Sequence, residues 1–301
     1  MEKDHGVGRE RNNLFEQVVA GRPQQKDLLY PALVANLLLT TAVTSIVARS
    51  FPAGGFPSFT DEQLVENLLL YKFTINGATW TLLIESLAIP LLLIGYLLAT
   101  RFGVGGLVTL AAVTIIPLFS SGWVRAIAPG ESLFFVRVYF VDYQFMFVFG
   151  MLAAEVHVRD DLMGKSRVVK IGMVVALVAM LGARFLLGYS SRWSLLVEGG
   201  ASALLIGLLA YGPRMGVHDF LEWRPIRFLG RISYSFYLYH ATTLALIVPA
   251  ATWYMTASGT ETRPFLAFLI VAVTAMFATT PLAFLSYNFI ERPMMQFGRR
   301  L

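Results

Sequence analysis

The sequence predicts an all-α fold, a polytopic bundle of about eight transmembrane helices with both termini in the cytoplasm. Three observations predict it. Apolar residues make up 56% of the 301 and charged ones only 14%, where a soluble domain carries about a quarter charged residues. The apolar residues gather in runs near the ~20 residues that a bilayer crossing needs. The basic residues gather in every second loop, as the positive-inside rule requires.

The apolar runs are 28–49, 79–99, 104–120, 134–156, 168–188, 193–211, 232–253 and 264–288. Lipid offers no hydrogen bonds, so each run has to satisfy its own backbone as a helix. The third run is short, and the fourth and sixth carry internal charges. With residues 1–27 placed in the cytoplasm, the loops on that side hold Lys3, Arg9, Arg11, Arg22, Lys26, Arg101, Arg159, Lys165, Arg167, Lys170, Arg214, Arg224, Arg227, Arg231, Arg292, Arg299 and Arg300. The outer side and outer helix ends hold Arg49, Lys72, Arg125, Arg137, Arg184, Arg192 and Arg263. One helix more or fewer would erase this asymmetry. The expected division is a cytoplasmic segment 1–27, one membrane domain 28–290 and a cytoplasmic tail 291–301.

The longest outer loop, 50–78, opens on a Pro/Gly turn region, FPAGGFP. Thr60-Asp61-Glu62-Gln63 then forms a capping-box pattern ahead of Leu64, Val65, Leu68 and Leu69. It predicts an amphipathic helix on the outer membrane surface, or a lid over a site.

The chain has no cysteine, which excludes disulfides, thiolate metal sites and a cysteine nucleophile. Its four histidines, at 5, 157, 218 and 240, have no metal-ligand spacing, so no metal is expected. The net charge of +5 comes from short loops rather than a continuous basic stripe, so nucleic acid is not expected as a partner. MEKDHGVGRERNNLFEQ contains no apolar core, so it does not read as a signal peptide.

Ionisable residues at membrane depth are functional candidates, because a charge there costs several kcal/mol. They are Glu85, Arg137, Asp142, Arg184, Glu198 and His240, with Glu155 near a cytoplasmic end. Trp80 reads as an interfacial belt residue. Glu85 reads either as a site carboxylate or as the ion-pair partner of Arg137 or Arg184. Arg137 and Asp142 lie five apart, which sets them on different faces of one helix. Arg184 is expected to snorkel to the outer surface. Glu198, followed by Gly199, Gly200, Ala201 and Ser202, reads as a packed polar contact.

The densest polar cluster is Gly230-Arg231-Ile232-Ser233-Tyr234-Ser235-Phe236-Tyr237-Leu238-Tyr239-His240. Ser233, Tyr237 and His240 follow i, i+4, i+7 and share one helical face. A lone histidine on a helix is ordinarily a satisfied core residue. With an aligned hydroxyl and phenol it becomes a candidate proton acceptor.

WTLLIE (80–85), FLGRISYSFYLYH (228–240), YNFIERPMMQFGRR (287–300) and, more loosely, FMFVFGMLAAE (145–155) resemble four elements of the acyltransferase-3 family of integral-membrane O-acyltransferases. They stand in family order, and the resemblance spans about 28–300. It matches Trp80, Glu85, Arg231, Ser233, Tyr234, Tyr237, His240, Glu291 and Arg292. The family opens with a helix bearing an Arg and, about ten residues on, its principal catalytic His. No such pair occurs on an apolar run here, and His5 lies in a charged segment. The expectation is that the chain begins just before the family's third helix.

What the resemblance implies is transfer of an acyl group, usually acetyl, from acyl-coenzyme A to a hydroxyl of a glycan or other cell-envelope acceptor. The acyl-CoA is then a co-substrate and no cofactor is bound. The partners are the lipid bilayer, the donor and the acceptor, and the place is a bacterial plasma membrane. The catalytic candidates are His240, Glu85, Ser233 and Tyr237; the substrate-binding candidates are Trp80, Tyr234, Arg231, Asp142 and Arg137. The basic loop 212–231 could attract the coenzyme's phosphates or simply express positive-inside bias. Glu291 and Arg292 read as a lock on the last helix end. Two other readings stand beside the enzyme: a remnant without catalysis, and a transporter or scaffold built from the same helices.

Overall fold

A computed structural model describes residues 22–51, 55–119, 142–159, 166–258 and 264–298. Among them there is no strand, and each of the eight apolar runs contains a helix. The helices are α1 (Arg22–Ser50), α2 (Asp61–Leu68), α3 (Trp80–Phe102), α4 (Val104–Phe119), α5 (Gln144–Arg159), α6 (Ser166–Leu187), α7 (Arg192–Tyr211), α8 (Gly216–Leu221), α9 (Arg224–Ser258), α10 (Pro264–Ser286) and α11 (Arg292–Gly298). A 3₁₀ turn, Gly77–Thr79, precedes α3, and a π turn, Tyr287–Glu291, joins α10 to α11.

Five segments are long and apolar enough to cross a bilayer: Tyr30–Ser50, Gly77–Phe102, Arg167–Leu187, Arg192–Tyr211 and Pro264–Phe297. Val104–Phe119 and Gln144–Glu155 are apolar but shorter. The 35-residue α9 is long enough to cross, yet its Ser, Tyr and His residues make it less apolar. Val178 on α6 and Phe277 on α10 are 63% and 70% exposed. Such surfaces suit acyl chains, which solvate Val and Phe as well as a protein core does. The chain is a multi-pass membrane protein.

The helices form two compact units. The first takes residues up to Trp80 and from Trp223 onward. In it α9 packs along α10 and against α1, while α11 and the π turn also touch α1. Between α1 and the 3₁₀ turn it carries the expected capping box: Gln63 N–H donates to Thr60 Oγ1 at 3.3 Å and Thr60 N–H to Gln63 Oε1 at 3.0 Å. Lys72 pairs with Glu66 at 2.7 Å, and that carboxylate holds its ammonium above the usual lysine range.

The second unit, Thr81–Glu222, contains α4 to α8 and all of α3 after its first residue. Gly103 alone links α3 to α4. Its φ of +63° is a left-handed helix end that side-chain-bearing residues rarely adopt. Leu110, Ala111 and Val148 form the core here, with Leu91, Leu98 and Phe149 packed around them. Gly199 lets α7 approach α5: a Cβ there would stand 2.8 Å from the Phe145 ring. This is the close approach that the small residues after Glu198 predict.

Candidate functional site

The polar stripe on α9 lies in the first unit, and its neighbours come from α1 and the 3₁₀ turn. The helix is unbroken through 233–240, so Ser233, Tyr237 and His240 do share a face. They do not all touch. Ser233 is exposed, and its Oγ donates to its own helix at Gly230 O, 2.9 Å away. Tyr237 and His240 stack loosely, with ring centroids 5.6 Å apart.

His240 is half-buried, and its Nδ1 lies 2.5 Å from the carbonyl oxygen of Tyr237. A carbonyl oxygen only accepts, so the proton sits on Nδ1. In the neutral ring this leaves the lone pair on Nε2. His218 is the opposite case. Its Nδ1 accepts from Met215 N–H at 3.0 Å, so Nε2–H donates to Leu209 O at 2.9 Å. One nitrogen caps α8 and the other ties α8 to the end of α7.

The Tyr237 phenol donates to the carbonyl of Ala78. That carbonyl lies two residues before Trp80, so α9 and the turn carrying Trp80 are tied together. Asn76 caps the same turn, its Oδ1 accepting from Ala78 N–H at 3.0 Å. Asn76 Nδ2 donates to Asn36 Oδ1 at 2.7 Å and to Leu238 O at 2.8 Å. Asn36 Nδ2 donates to Thr242 Oγ1 at 3.0 Å, and Thr40 meets the same hydroxyl at 2.7 Å. Asn36, Asn76 and Thr40 are completely buried. This network, absent from the sequence-based candidates, fixes the 3₁₀ turn against α9. Its signal was legible as Asn36, Thr40 and Thr44, one helical turn apart on an apolar run.

Ser235, also not singled out, is buried and donates to the buried carboxylate of Glu291 in the π turn. Glu291 thus fastens the end of α10 to α9, as expected of a lock. Arg292, the next residue, turns outward with Arg231 to line a cavity of about 250 Å³ together with Phe228, Ile232, Phe284, Tyr287 and Asn288. Tyr234 is half-buried beside these residues in sequence.

Glu85 stands exposed on α3, inside the apolar span 77–102, in the second unit. It is not the partner of Arg184. Arg184 Nε and Nη2 donate to the two oxygens of Glu198 at 2.6 and 3.0 Å, and its Cζ lies 4.8 Å from the Tyr189 ring centroid. The snorkelling expected of Arg184 is replaced by a two-pronged bond, because a carboxylate within reach satisfies the planar fork better than distant water. Asp142 is buried two residues ahead of α5. Arg137 lies outside the described residues. In the basic loop, Arg214 is neutralised locally by Asp219 and Glu222, at 3.3 and 2.8 Å.

The acyltransferase-3 family, described as an acyltransferase domain, matches residues 26–287 of the chain. A Bacillus subtilis (strain 168) protein with the provisional name peptidoglycan O-acetyltransferase YrhL is 31% identical over 109 residues. Those residues are 36% of this chain and 15% of that relative, so the likeness spans a small part of the longer protein. No solved structure matches the chain.

Proposed function

Because this chain belongs to the acyltransferase-3 family, we propose that it moves an acyl group, most simply acetyl, from acyl-coenzyme A to a hydroxyl of a cell-envelope glycan. The partly matching relative carries a name of that kind. The observation that carries the assignment of roles is the Nδ1 contact of His240 with the Tyr237 carbonyl.

Acyl transfer to oxygen needs a base for the hydroxyl proton, donors for the oxyanion, and exclusion of water. Nε2 of His240 takes the proton from the acceptor hydroxyl as its oxygen attacks the thioester carbonyl carbon. The C–S bond then breaks, and the imidazolium returns its proton to the departing thiolate. Tyr237, anchored at Ala78, holds the ring; it is a positioning residue. Glu85, a carboxylate exposed on α3 of the second unit, is proposed in its own right as an acceptor-binding group. Trp80, Tyr234, Asp142 and Arg137 contribute to binding. The site faces a plasma-membrane bilayer, with the donor entering from the side that carries Arg231.

The test is acetyl transfer in membranes from cells expressing the wild type, His240→Ala and Glu85→Gln, with each protein quantified. Loss of transfer in both variants at equal abundance is the expected result. Unaltered transfer in both removes the assigned roles.

A further inference from the structure

From the cavity between α9 and the π turn we infer a binding site for a phosphate ester, gripped by Arg231 and Arg292. The cavity is built by one rigid contact. Ser235, one turn beyond Arg231, donates to Glu291, the residue just before Arg292. That bond ties together the two segments that carry the arginines, and both arginines line one hollow of about 250 Å³. Ile232, which is buried, and the Phe228–Phe284 pair, with ring centroids 6.0 Å apart, make the apolar wall. Tyr287 and Asn288 supply the neutral polar groups.

Charge decides the class of ligand. No carboxylate lines the hollow. Among the described residues neither Arg231 nor Arg292 has an ion-pair partner, whereas Arg184 has one and Arg214 has two. Two guanidiniums converging on a concave surface repel each other until an anion enters. The planar fork fits phosphate oxygens in pairs, which an ammonium cannot do. Positive-inside bias explains why arginines lie at this end of the helices. It does not explain why two of them share a cavity without an acid.

Size narrows the ligand further. Sites for whole drug-sized molecules run from about 300 to 1,000 Å³, so this hollow takes a head group and leaves the rest of the ligand outside. A phosphate ester reaches it from two sources: the coenzyme portion of the donor, or an anionic phospholipid in the same leaflet. The connection to acyl transfer rests on the function proposed above; the binding itself does not.

The experiment uses the full chain in phosphatidylcholine nanodiscs, titrated with coenzyme A by calorimetry. Arg231→Gln and Arg292→Gln are each expected to weaken binding at least tenfold, and Arg101→Gln to leave it unchanged. In a second arm, phosphatidylglycerol is added to the discs and the lipid retained through repurification is quantified. Retention by the wild type but not by the arginine variants assigns the site to a lipid head group. Phenylglyoxal labelling of the wild type needs no variant and covers the case in which one misfolds. Coenzyme A or phosphatidylglycerol is expected to slow labelling of Arg231 and Arg292 but not of Arg101. If neither ligand protects the two arginines, the inference is wrong. Normal acyl transfer alongside that result leaves the proposed function standing. Inactive His240→Ala protein that still binds coenzyme A shows the two sites to be separate.

Discussion

Asn76 Nδ2 lies 2.7 Å from Asn36 Oδ1 and 2.8 Å from the carbonyl of Leu238, so one buried amide joins α1, the 3₁₀ turn and α9. Every group in that contact is cut off from water, and the bonds are therefore expensive to leave unmade. Asn76→Ala strands Asn36 Oδ1 and Ala78 N–H together. A loss of about 1–3 kcal/mol follows from the usual cost of an unsatisfied buried group. Denaturation of the purified protein in detergent, followed by tryptophan fluorescence, checks it. Thr252→Ala, at an exposed position, should change little in the same assay. Equal stability for the two variants would show that the network carries no energy.

The Arg184–Glu198 pair is predicted to behave as a unit. The two side chains are 35% and 19% exposed, which places the pair between a surface bridge worth ~0–1 kcal/mol and a buried one whose disruption costs about 3–5 kcal/mol. Arg184→Gln and Glu198→Gln should each destabilise by about 1–2 kcal/mol, and the double variant by much less than the sum. A double-mutant cycle reads the coupling. Strict additivity would mean that the two groups do not interact in the folded protein.

Glycine positions separate contact from convenience. A Cβ at Gly199 would meet Phe145 at 2.8 Å and Met146 at 3.0 Å, while one at Gly150 meets nothing within 4 Å. Gly199→Val should cost about 1–3 kcal/mol through overpacking. Gly150→Ala should be neutral, or stabilising by roughly 0.5–1 kcal/mol through helix propensity. Thermal unfolding of both variants decides the ranking.

His240 and Tyr237 are predicted to fail differently. Removing the base in His240→Ala should lower acyl transfer by at least about 100-fold, within the usual range for acid–base catalysis. Tyr237→Phe keeps the ring and the carbonyl that orients His240, and loses the phenol bond to Ala78. It should retain His240-dependent turnover at a rate lowered by roughly tenfold, about 1.4 kcal/mol in the barrier. Steady-state kinetics on matched amounts of protein distinguish the two. A Tyr237→Phe defect as deep as that of His240→Ala would give the phenol a direct part in the chemistry.

The Ser235–Glu291 bond links α9 to the π turn, so Ser235→Ala should loosen α11 as well as lower stability. About 1–3 kcal/mol is expected for a hydroxyl withdrawn from a buried carboxyl. Amide exchange over residues 287–298 should rise in that variant while exchange over α6 and α7 stays unchanged. No change over 287–298 would contradict the lock.

Read from residues alone, the chain already declares its helices and their order. Composition excludes water as the main solvent, and runs of apolar residues leave the backbone no alternative to helix. Thr60 and Gln63 announce a cap because capping depends on residues three apart. Ser233, Tyr237 and His240 announce a shared face because a helix repeats every 3.6 residues. All of these are local regularities. The tertiary structure decided what each polar group meets: Asn76 with Asn36, Ser235 with Glu291, Arg184 with Glu198, and Arg231 lining one hollow with Arg292. The first two partners stand 40 and 56 residues apart. No helical period relates positions on different helices, so such pairings emerge only when whole helices pack. Ser233 was decided locally instead: a hydroxyl beside its own helix finds a carbonyl sooner than it finds an imidazole two turns away.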